Sequence, residues 1–409
     1  EGMVIKKKTS LNHQLKVCLA DAFLAHNVVN PKLALGLSSR SDSLVLLHLL
    51  VETSKSLSFQ LRAHHVHHGL SPNADAWADF CADTCKKLKV LLTISKIKVN
   101  KNSGLGVEAT AREARYKALS ADEADLICPD FILLAHHQDD QAETLLLQLA
   151  RGAGVKGLAS MGAVNEKLLR PLLDVPRSAL EVYAKEHSMD WVEDESNLDT
   201  KFDRNFMRHE VLPVLAKQYP NIRQTIGRAA QHMAEADMLL DELAEQDIKN
   251  GLINSQQLQL ASLERLSNAR IKNALRWWLM LNGCDTPSAA QLQQITQQLF
   301  FAKVDAGIKI KVSASLILRR FQGRAYLVQN VQAGDADYQR SAFSLPWQGE
   351  QVIILTDQSQ LFFSEKLGEG IAMRYLENSQ LTSRYRQGGE MLKPEEIRPS
   401  RSLKSLFQT

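Results

Sequence analysis

Leu33-Ala-Leu-Gly-Leu37, Ser38-Ser-Arg-Ser-Asp-Ser43 and Leu44-Val-Leu-Leu-His-Leu-Leu50 follow one another without interruption. A short apolar run breaks into a small polar turn and resumes as a second apolar segment, the pattern of a buried strand, a loop and a helix. Free backbone N–H groups gather where such a strand ends and the helix begins, which makes the turn a seat for phosphate. Turns of this kind ordinarily use glycine, because glycine accepts positive φ and admits a ligand close to the backbone. This turn has none. Taken alone, Ser38 to Ser43 reads as a plain N-cap loop, since Ser and Asp are ordinary helix starters.

The chain has 409 residues, 44% of them apolar, which suffices for more than one core and implies two or three domains. A net charge of +3 says little about partners by itself. The sequence has no apolar run of about eighteen uncharged residues and no secretory pattern in its first thirty, so it reads as cytoplasmic, with no membrane partner. Five cysteines, one unpaired by parity, argue against a disulfide framework. Cys81 and Cys85 read as two buried thiols on one helix face, because no second pair completes a set of metal ligands.

From Leu33 to about Leu158, short apolar runs alternate with amphipathic segments, as in a parallel sheet covered by helices. Expected strands are Leu33 to Leu37, Gln60 to His65, Leu91 to Val99 and Phe131 to Ala135, with helices at Asp75 to Lys87 and Val107 to Leu119. Ligands of open α/β sheets bind outside the carboxyl ends of the strands. Three of these strands end in a polar cluster: the Ser38 turn, His64-His-Val-His-His-Gly-Leu70, and His136-His-Gln-Asp-Asp140 followed by Glu143 and Thr144. Three clusters at one edge make a site. Arg112 and Arg115, three apart on the expected helix, are placed to meet a phosphate.

The segment Arg151-Gly-Ala-Gly-Val-Lys-Gly157 is too rich in glycine for a helix interior and reads as a flexible basic loop closing the site. Arg204 and Arg208, four apart, share a helix face, which is either solvated or in contact with phosphate or RNA. The four histidines at 64, 65, 67 and 68, with His136, His137, Asp139 and Asp140, invite a metallohydrolase reading. On an alternating strand, however, His64 and His68 face one way and His65 and His67 do not, so half the cluster cannot share a metal. A Mg²⁺ held by Asp and phosphate is the stronger reading. Asp139, Asp140 and Glu143 exceed what offsetting a helix dipole requires. Asp140 and Glu143 point into one pocket fit for Mg²⁺ or a cationic amine.

The fold class is therefore α/β: a parallel-sheet nucleotide-binding domain over 1–215, a mainly helical domain with small strands over 216–335, and a small C-terminal α/β module over 350–409. Long amphipathic segments at Ile222 to Ile248 and Leu263 to Asn282 carry the second domain, followed by strands at Lys309 to Val312, Leu316 to Arg319 and Ala325 to Val328 with a Gln322-Gly323 turn. From Arg374 to Thr409, seven Lys or Arg stand against four Glu, an excess suited to an RNA backbone or to a solvated basic tail.

The ordered set of Ser38 to Ser43, His67-His-Gly-Leu70, Glu108 to Tyr116, His136 to Thr144, Arg151-Gly-x-Gly-x-x-Gly-Leu158, Asp194-x-Ser-Asn197 and Arg204-Asn-x-x-Arg208 resembles the tRNA(Ile)-lysidine synthetases. These belong to the PP-loop superfamily of N-type ATP pyrophosphatases, whose fold is adenine nucleotide alpha hydrolase-like. The resemblance is dense from Leu33 to Pro213. It resumes at Leu266 to Gly283 and at Arg386-Gln-Gly-Gly-Glu390 with Ser402-Leu-Lys404. It implies ATP-dependent ligation of free L-lysine to C2 of the wobble cytidine in a tRNA(Ile) with a CAU anticodon, through an adenylated tRNA. Codon reading then switches from AUG to AUA.

The implied cofactors are ATP and Mg²⁺. Ser38, Ser39, Arg40, Ser41, Asp42, Ser43, His136 and Arg115 are assigned to the nucleotide, and Asp42 and Asp140 to the metal. Asp42, Asp140, Glu143 and Arg112 are assigned to catalysis, with Asp140 and Glu143 as the pocket for the lysine amine. Arg151, Arg204, Arg208, Arg386 and Lys404 are assigned to tRNA, with 216–335 as a tRNA- or substrate-binding domain and 350–409 as a C-terminal tRNA-binding module. Family precedent implies a homodimer, and the C-terminal module reads as truncated at Thr409. Two positions depart from the family: Ser39 and Arg40 replace the loop glycines. If these positions need positive φ the backbone cost is about 1 to 2 kcal/mol each, and a lost phosphate donor costs on the order of 3 kcal/mol. The alternatives are a catalytically impaired tRNA-binding paralogue, or another PP-loop tRNA-modifying enzyme such as a thiolase, for which Cys81 and Cys85 are an insufficient set.

Overall fold

A computed structural model of the chain describes residues 10–69, 71–97, 107–120, 128–192, 199–303 and 306–330, and short strands beyond them up to residue 402. Leu33, Leu35 and Leu37 alternate with less buried neighbours along β1 (Lys32–Leu37), as a strand covered on both faces requires. It pairs in parallel with β2 (Gln60–His67) on one side and β4 (Phe131–Leu133) on the other. β3 (Leu91–Lys96) extends the sheet beyond β2. Beyond β4, β6 (Leu168–Leu169) runs parallel and β5 (Val164–Asn165) pairs antiparallel to it, for an order β3-β2-β1-β4-β6-β5.

Between β1 and β4 the order of connections reverses, and the crevice at such a switch point is where an open α/β sheet binds its ligand. The loops that follow β1 and β4 are the Ser38 and His136 clusters. One core joins α1 (Leu11–Ala25), α2 (Ser41–Ser54), α3 (Ala74–Leu88) and α7 (Arg177–Glu186) to one sheet face. A smaller core holds Leu119 and Tyr116 of α4 (Val107–Ser120) against Val66, Ile132 and Leu134. Gly36 sits closely here: a Cβ at that position would lie 3.0 Å from the Leu134 side chain, which would have to shift by a few tenths of an ångström. The strands and helices expected over this region are all present, with ends shifted by one to three residues. The apolar face of α1 and the β5–β6 pair add to the expectation.

α5 (Gln138–Ala150) follows the His136 cluster, and its Ala142, Leu145 and Leu146 pack with Leu212, Ile222 and Ile226. The glycine-rich segment after it is an ordered helix stop. Gly152 takes φ +70°, its N–H donates to Leu149 O, and the Ala153 N–H donates to Gln148 O. This is the Schellman arrangement, which satisfies the last carbonyls of a helix. The expected flexible loop is thus a cap, held further by α6 (Val155–Leu158) and by paired hydrogen bonds between the Gln141 side chain and the Met161 backbone.

The chain divides into two compact units, 1–247 and 248–409. The dividing point lies at the end of α10 (Ile222–Ile248), later than the 215/216 boundary read from the sequence, because Ile222 and Ile226 of that helix pack on α5. The second unit centres on a five-stranded antiparallel sheet, in the order β7-β8-β11-β10-β9. Its strands are β7 (Leu252–Asn254), β8 (Gln257–Gln259), β9 (Lys309–Lys311), β10 (Leu316–Phe321) and β11 (Arg324–Gln329). Helices α11 (Asn268–Leu281) and α12 (Ala289–Phe301) supply Trp278, Leu292 and Ile295 to the core over one sheet face. The Gln322-Gly323 turn has positive φ at both residues, as a tight hairpin demands. β7 and β8 lie within a stretch read as helical.

Farther on, Phe343–Pro346 pairs with Gln380–Ser383, Val352–Ile354 with Gln360–Phe362, and Met391–Leu392 with Arg401–Ser402. Arg386 and Lys404 lie outside the described residues. No helix among the described residues is long and apolar enough to cross a membrane.

Candidate active site

The turn from Ser38 to Ser43 is tied together by the Ser43 hydroxyl. Its Oγ accepts the Ser38 N–H at 3.1 Å and lies 2.8 and 3.1 Å from the Ser38 and Arg40 carbonyls, with the Ser38 hydroxyl 2.9 Å away. One hydroxyl therefore ties the turn to the first turn of α2. The first helical bond runs from the Leu44 N–H to Arg40 O, and the Arg40 side chain makes no cap, so the N–H groups of residues 41 to 43 precede the ladder. Arg40 has φ −84° and ψ 151°, and Ser39 is not among the positive-φ residues. The glycine replacements therefore carry no backbone penalty. Ser39 is buried, and its carbonyl accepts the Val192 N–H at 2.9 Å.

His137 caps α5 reciprocally. Its Nδ1 accepts the Asp140 N–H at 3.4 Å, while its own N–H donates to Asp140 Oδ2 at 3.0 Å. Its Nε2 then lies 3.6 Å from Asp42 Oδ2 and 3.5 Å from Asp140 Oδ2. The imidazole thereby links the two loops at the switch point. Burial pushes the Asp42 carboxyl up, but His137 and Arg40 outweigh it and hold the group below its ordinary value. Burial likewise opposes the charge of Asp140, and His137, Arg204 and His136 hold it far below the carboxylate range. For His137, burial acts downward and is outweighed by Asp42, Asp140 and Asp139, which raise it. Asp42 in the first turn of α2 and Asp140 in the first turn of α5 thus face the same imidazole, and no group of three or more histidine, cysteine or acidic side chains placed to hold a metal ion is found among the described residues.

Glu143 has no exposed surface, and both its oxygens are taken. Arg208 Nε donates to Oε1 at 2.6 Å and Nη2 to Oε2 at 3.0 Å, while Arg204 Nε donates to Oε2 at 3.0 Å. Both guanidinium groups also reach Asp140 Oδ1, at 3.7 Å from Arg204 and 3.4 Å from Arg208. The spacing of four does put Arg204 and Arg208 on one face, and that face turns inward. Arg208, expected to meet the tRNA, is 13% exposed with its Nε and Nη2 engaged by Glu143 and Asp140, and the two acids expected to hold an amine face two guanidinium groups. Arg208 sits in a single π turn, Met207–Val211, a distortion that recurs at functional sites.

The remaining residues scatter around this centre. Asp139 accepts the Arg177 N–H at 3.1 Å and pairs with Arg223 at 2.5 Å. Arg151 is exposed and pairs with Asp203 at 3.0 Å. His64 bonds Ser95, His65 lies 3.1 Å from Leu37 O and 3.6 Å from Cys81 Sγ, and His67 pairs with Asp75. Each of these three therefore has its own partner on a different element. Burial and the charge of Arg115 hold His68 down to about 4, which places Arg115 beside the end of β2. The Arg112 side chain and the Asp194 to Asn197 segment lie outside the described residues.

His137 entered the sequence reading only through the metallohydrolase alternative, although a side chain three residues before an acid at a helix start is a capping signal. Nothing in the sequence pointed to Arg223 or Val192, whose partners are far away in the chain.

The PP-loop domain model matches residues 8–215, and the TilS substrate binding domain model matches residues 258–326. The chain is 40% identical over 403 residues to the tRNA(Ile)-lysidine synthase of Nitrosomonas europaea, covering 95% of this chain and 85% of that one. It is 45% identical over 299 residues to the enzyme of the same name from Actinobacillus pleuropneumoniae serotype 3, covering 72% and 69%. Among solved structures it is similar to the U34-tRNA thiolase NcsA from Methanococcus maripaludis, with a TM-score of 0.47 and 22% identity over 55% of this chain and 78% of that one.

Proposed function

This chain belongs to the tRNA(Ile)-lysidine synthase family, and from that premise we propose that the crevice between β1 and β4 is where ATP, L-lysine and a tRNA(Ile) with a CAU anticodon react. The reaction is ATP-dependent joining of lysine to the wobble cytidine. The cytidine C2 oxygen attacks the α-phosphate and displaces pyrophosphate; the ε-amine of lysine then attacks C2 and displaces AMP. The observation that carries this reading is the convergence of Asp42 and Asp140 on His137 at the amino end of α2.

The α2 N–H groups and the turn from Ser38 to Ser43 are assigned to the phosphates, where fixed dipoles stabilise developing charge. Asp42 and Asp140 would hold Mg²⁺, which supplies charge neutralisation at the leaving pyrophosphate. His136, Arg112 and Arg115 complete the nucleotide side. Because Glu143 is saturated, its acceptance of the lysine ammonium requires Arg204, one-quarter exposed, to swing away while Arg208 stays. Arg151, Arg386 and Lys404 are assigned to the tRNA.

The test is release of AMP and pyrophosphate by the purified chain with ATP, Mg²⁺, lysine and the CAU-anticodon tRNA, each omitted in turn. Pyrophosphate release that needs tRNA, together with AMP release that also needs lysine, is the expected result. No AMP release with all four present overturns the reading.

A further inference from the structure

Asp139 and Asp140 adjoin in the first turn of α5, but their carboxylates serve different neighbours. Asp140 turns to His137, Arg204 and Arg208. Asp139 Oδ1 accepts the Arg177 N–H at 3.1 Å, and its Oδ2 pairs with Arg223 Nε at 2.5 Å. Arg177 opens α7, whose N-cap is Pro176 and which has no side-chain cap of its own. A carboxylate from another helix therefore satisfies an orphan N–H there. Arg223 lies in the first turn of α10.

The same neighbours hold α5 at further points. The Gln138 N–H donates to Val175 O at 3.0 Å, and Gln231 of α10 donates to Asp174 Oδ1 at 3.2 Å. Ala142, Leu145 and Leu146 pack with Ile222 and Ile226. Apolar contact is non-directional and leaves a helix able to slide or turn slightly. A carboxylate bonded through both oxygens to two other helices removes that freedom. An acid that only offset the α5 dipole could do so from solvent. Asp139 is instead 16% exposed and bonded on both sides.

We propose that Asp139 is a positioning residue for the ligation: it clamps the first turn of α5 between α7 and α10, through the Arg177 N–H and Arg223, and so fixes where Asp140 and Glu143 stand against the lysine amine. Asp140 follows it directly, and Glu143 lies about one helical turn farther on. A misplacement of about 1 Å costs on the order of a hundredfold in rate. The phosphate turn is held by Ser43 and not by Asp139, so loosening the clamp affects lysine and spares ATP. The inference rests on the reading of Asp140 and Glu143 as the lysine pocket, and it adds Asp139 and Arg223, which touch no substrate.

The experiment measures steady-state AMP release by the full chain at saturating CAU-anticodon tRNA, with lysine and ATP varied in turn. Asp139→Asn keeps an acceptor for the Arg177 N–H and removes the charge facing Arg223. Both Asp139→Asn and Arg223→Gln are expected to raise KM for lysine and to lower kcat/KM for lysine by about ten- to a hundredfold, with KM for ATP unchanged. The double variant is expected to fall no further than the worse single one, because both act through one bond. Arg223→Lys, which keeps the charge, is expected to recover part of the loss. Should Asp139→Asn not fold, Arg223→Gln, at a residue 31% exposed, carries the same test. A fall in kcat with both KM values unchanged is a smaller folded fraction and overturns the inference, as do additive losses or wild-type kinetics. Failure of the wild-type chain to release AMP overturns the underlying reading, and this inference with it.

Discussion

Arg208 grips Glu143 with two parallel bonds, Nε to Oε1 at 2.6 Å and Nη2 to Oε2 at 3.0 Å, around a carboxylate with no exposed surface. A fork of this kind fixes both position and charge. Burial acts against the guanidinium charge, but Glu143 and Asp140 outweigh it and raise its affinity for the proton.

Removing Arg208 therefore leaves a buried acid uncompensated on one oxygen. Arg208→Ala is expected to lower unfolding free energy by about 3 to 5 kcal/mol, the range for breaking a buried pair. Arg208→Lys keeps the charge, loses the fork and falls between. Urea unfolding of the three proteins checks the order, and equal midpoints would show that Arg204 alone neutralises the site.

Acid stability has a separable component at His68. Its folded value near 4 lies below the ordinary 6.5, because burial and then Arg115 disfavour the charged ring. The unfolded chain thus takes up this proton first. Stability is full above the unfolded value and declines as pH falls from about 6.5 to about 4. His68→Gln removes that part of the decline. Asp42 and Asp140, both held low, lose their contribution only as pH falls below the ordinary carboxylate range near 3.9, present in wild type and variant alike. Urea midpoints between pH 7 and 4.5 should fall more steeply for the wild type; parallel curves would rule His68 out.

Restoring glycine at Ser39 and Arg40 offers no conformational relief, since neither residue has positive φ. Each replacement is expected to destabilise the chain by about 0.5 to 1 kcal/mol through added freedom in the unfolded state. AMP release is expected already in the wild type. A Ser39→Gly/Arg40→Gly protein that is more stable, or active where the wild type is silent, would contradict this.

Much of the catalytic unit was legible from periodicity. The strand at Leu33 and the clusters after Leu37 and Leu133 are local patterns, and local patterns fix which residues reach a sheet edge. The inward turn of Arg204 and Arg208 was not legible, because a spacing of four says that two side chains share a face and nothing about what that face meets. The same holds for β7 and β8, three residues each, too short for alternation to stand out between long helices.

What the sequence by itself determined is the order of residue types along the chain: a glycine-free Ser/Asp turn, an acid-rich helix start and a basic second unit, in the pattern of its family. Only the tertiary structure decided which charges meet. Asp42 and Asp140 share His137 across about a hundred residues, Glu143 is filled by arginines sixty residues away, and Lys309 and Arg319 of the second unit stand opposite each other on neighbouring strands. The physical reason is that propensity and spacing act within a turn or a strand, whereas ion pairing is set by the packing of distant elements.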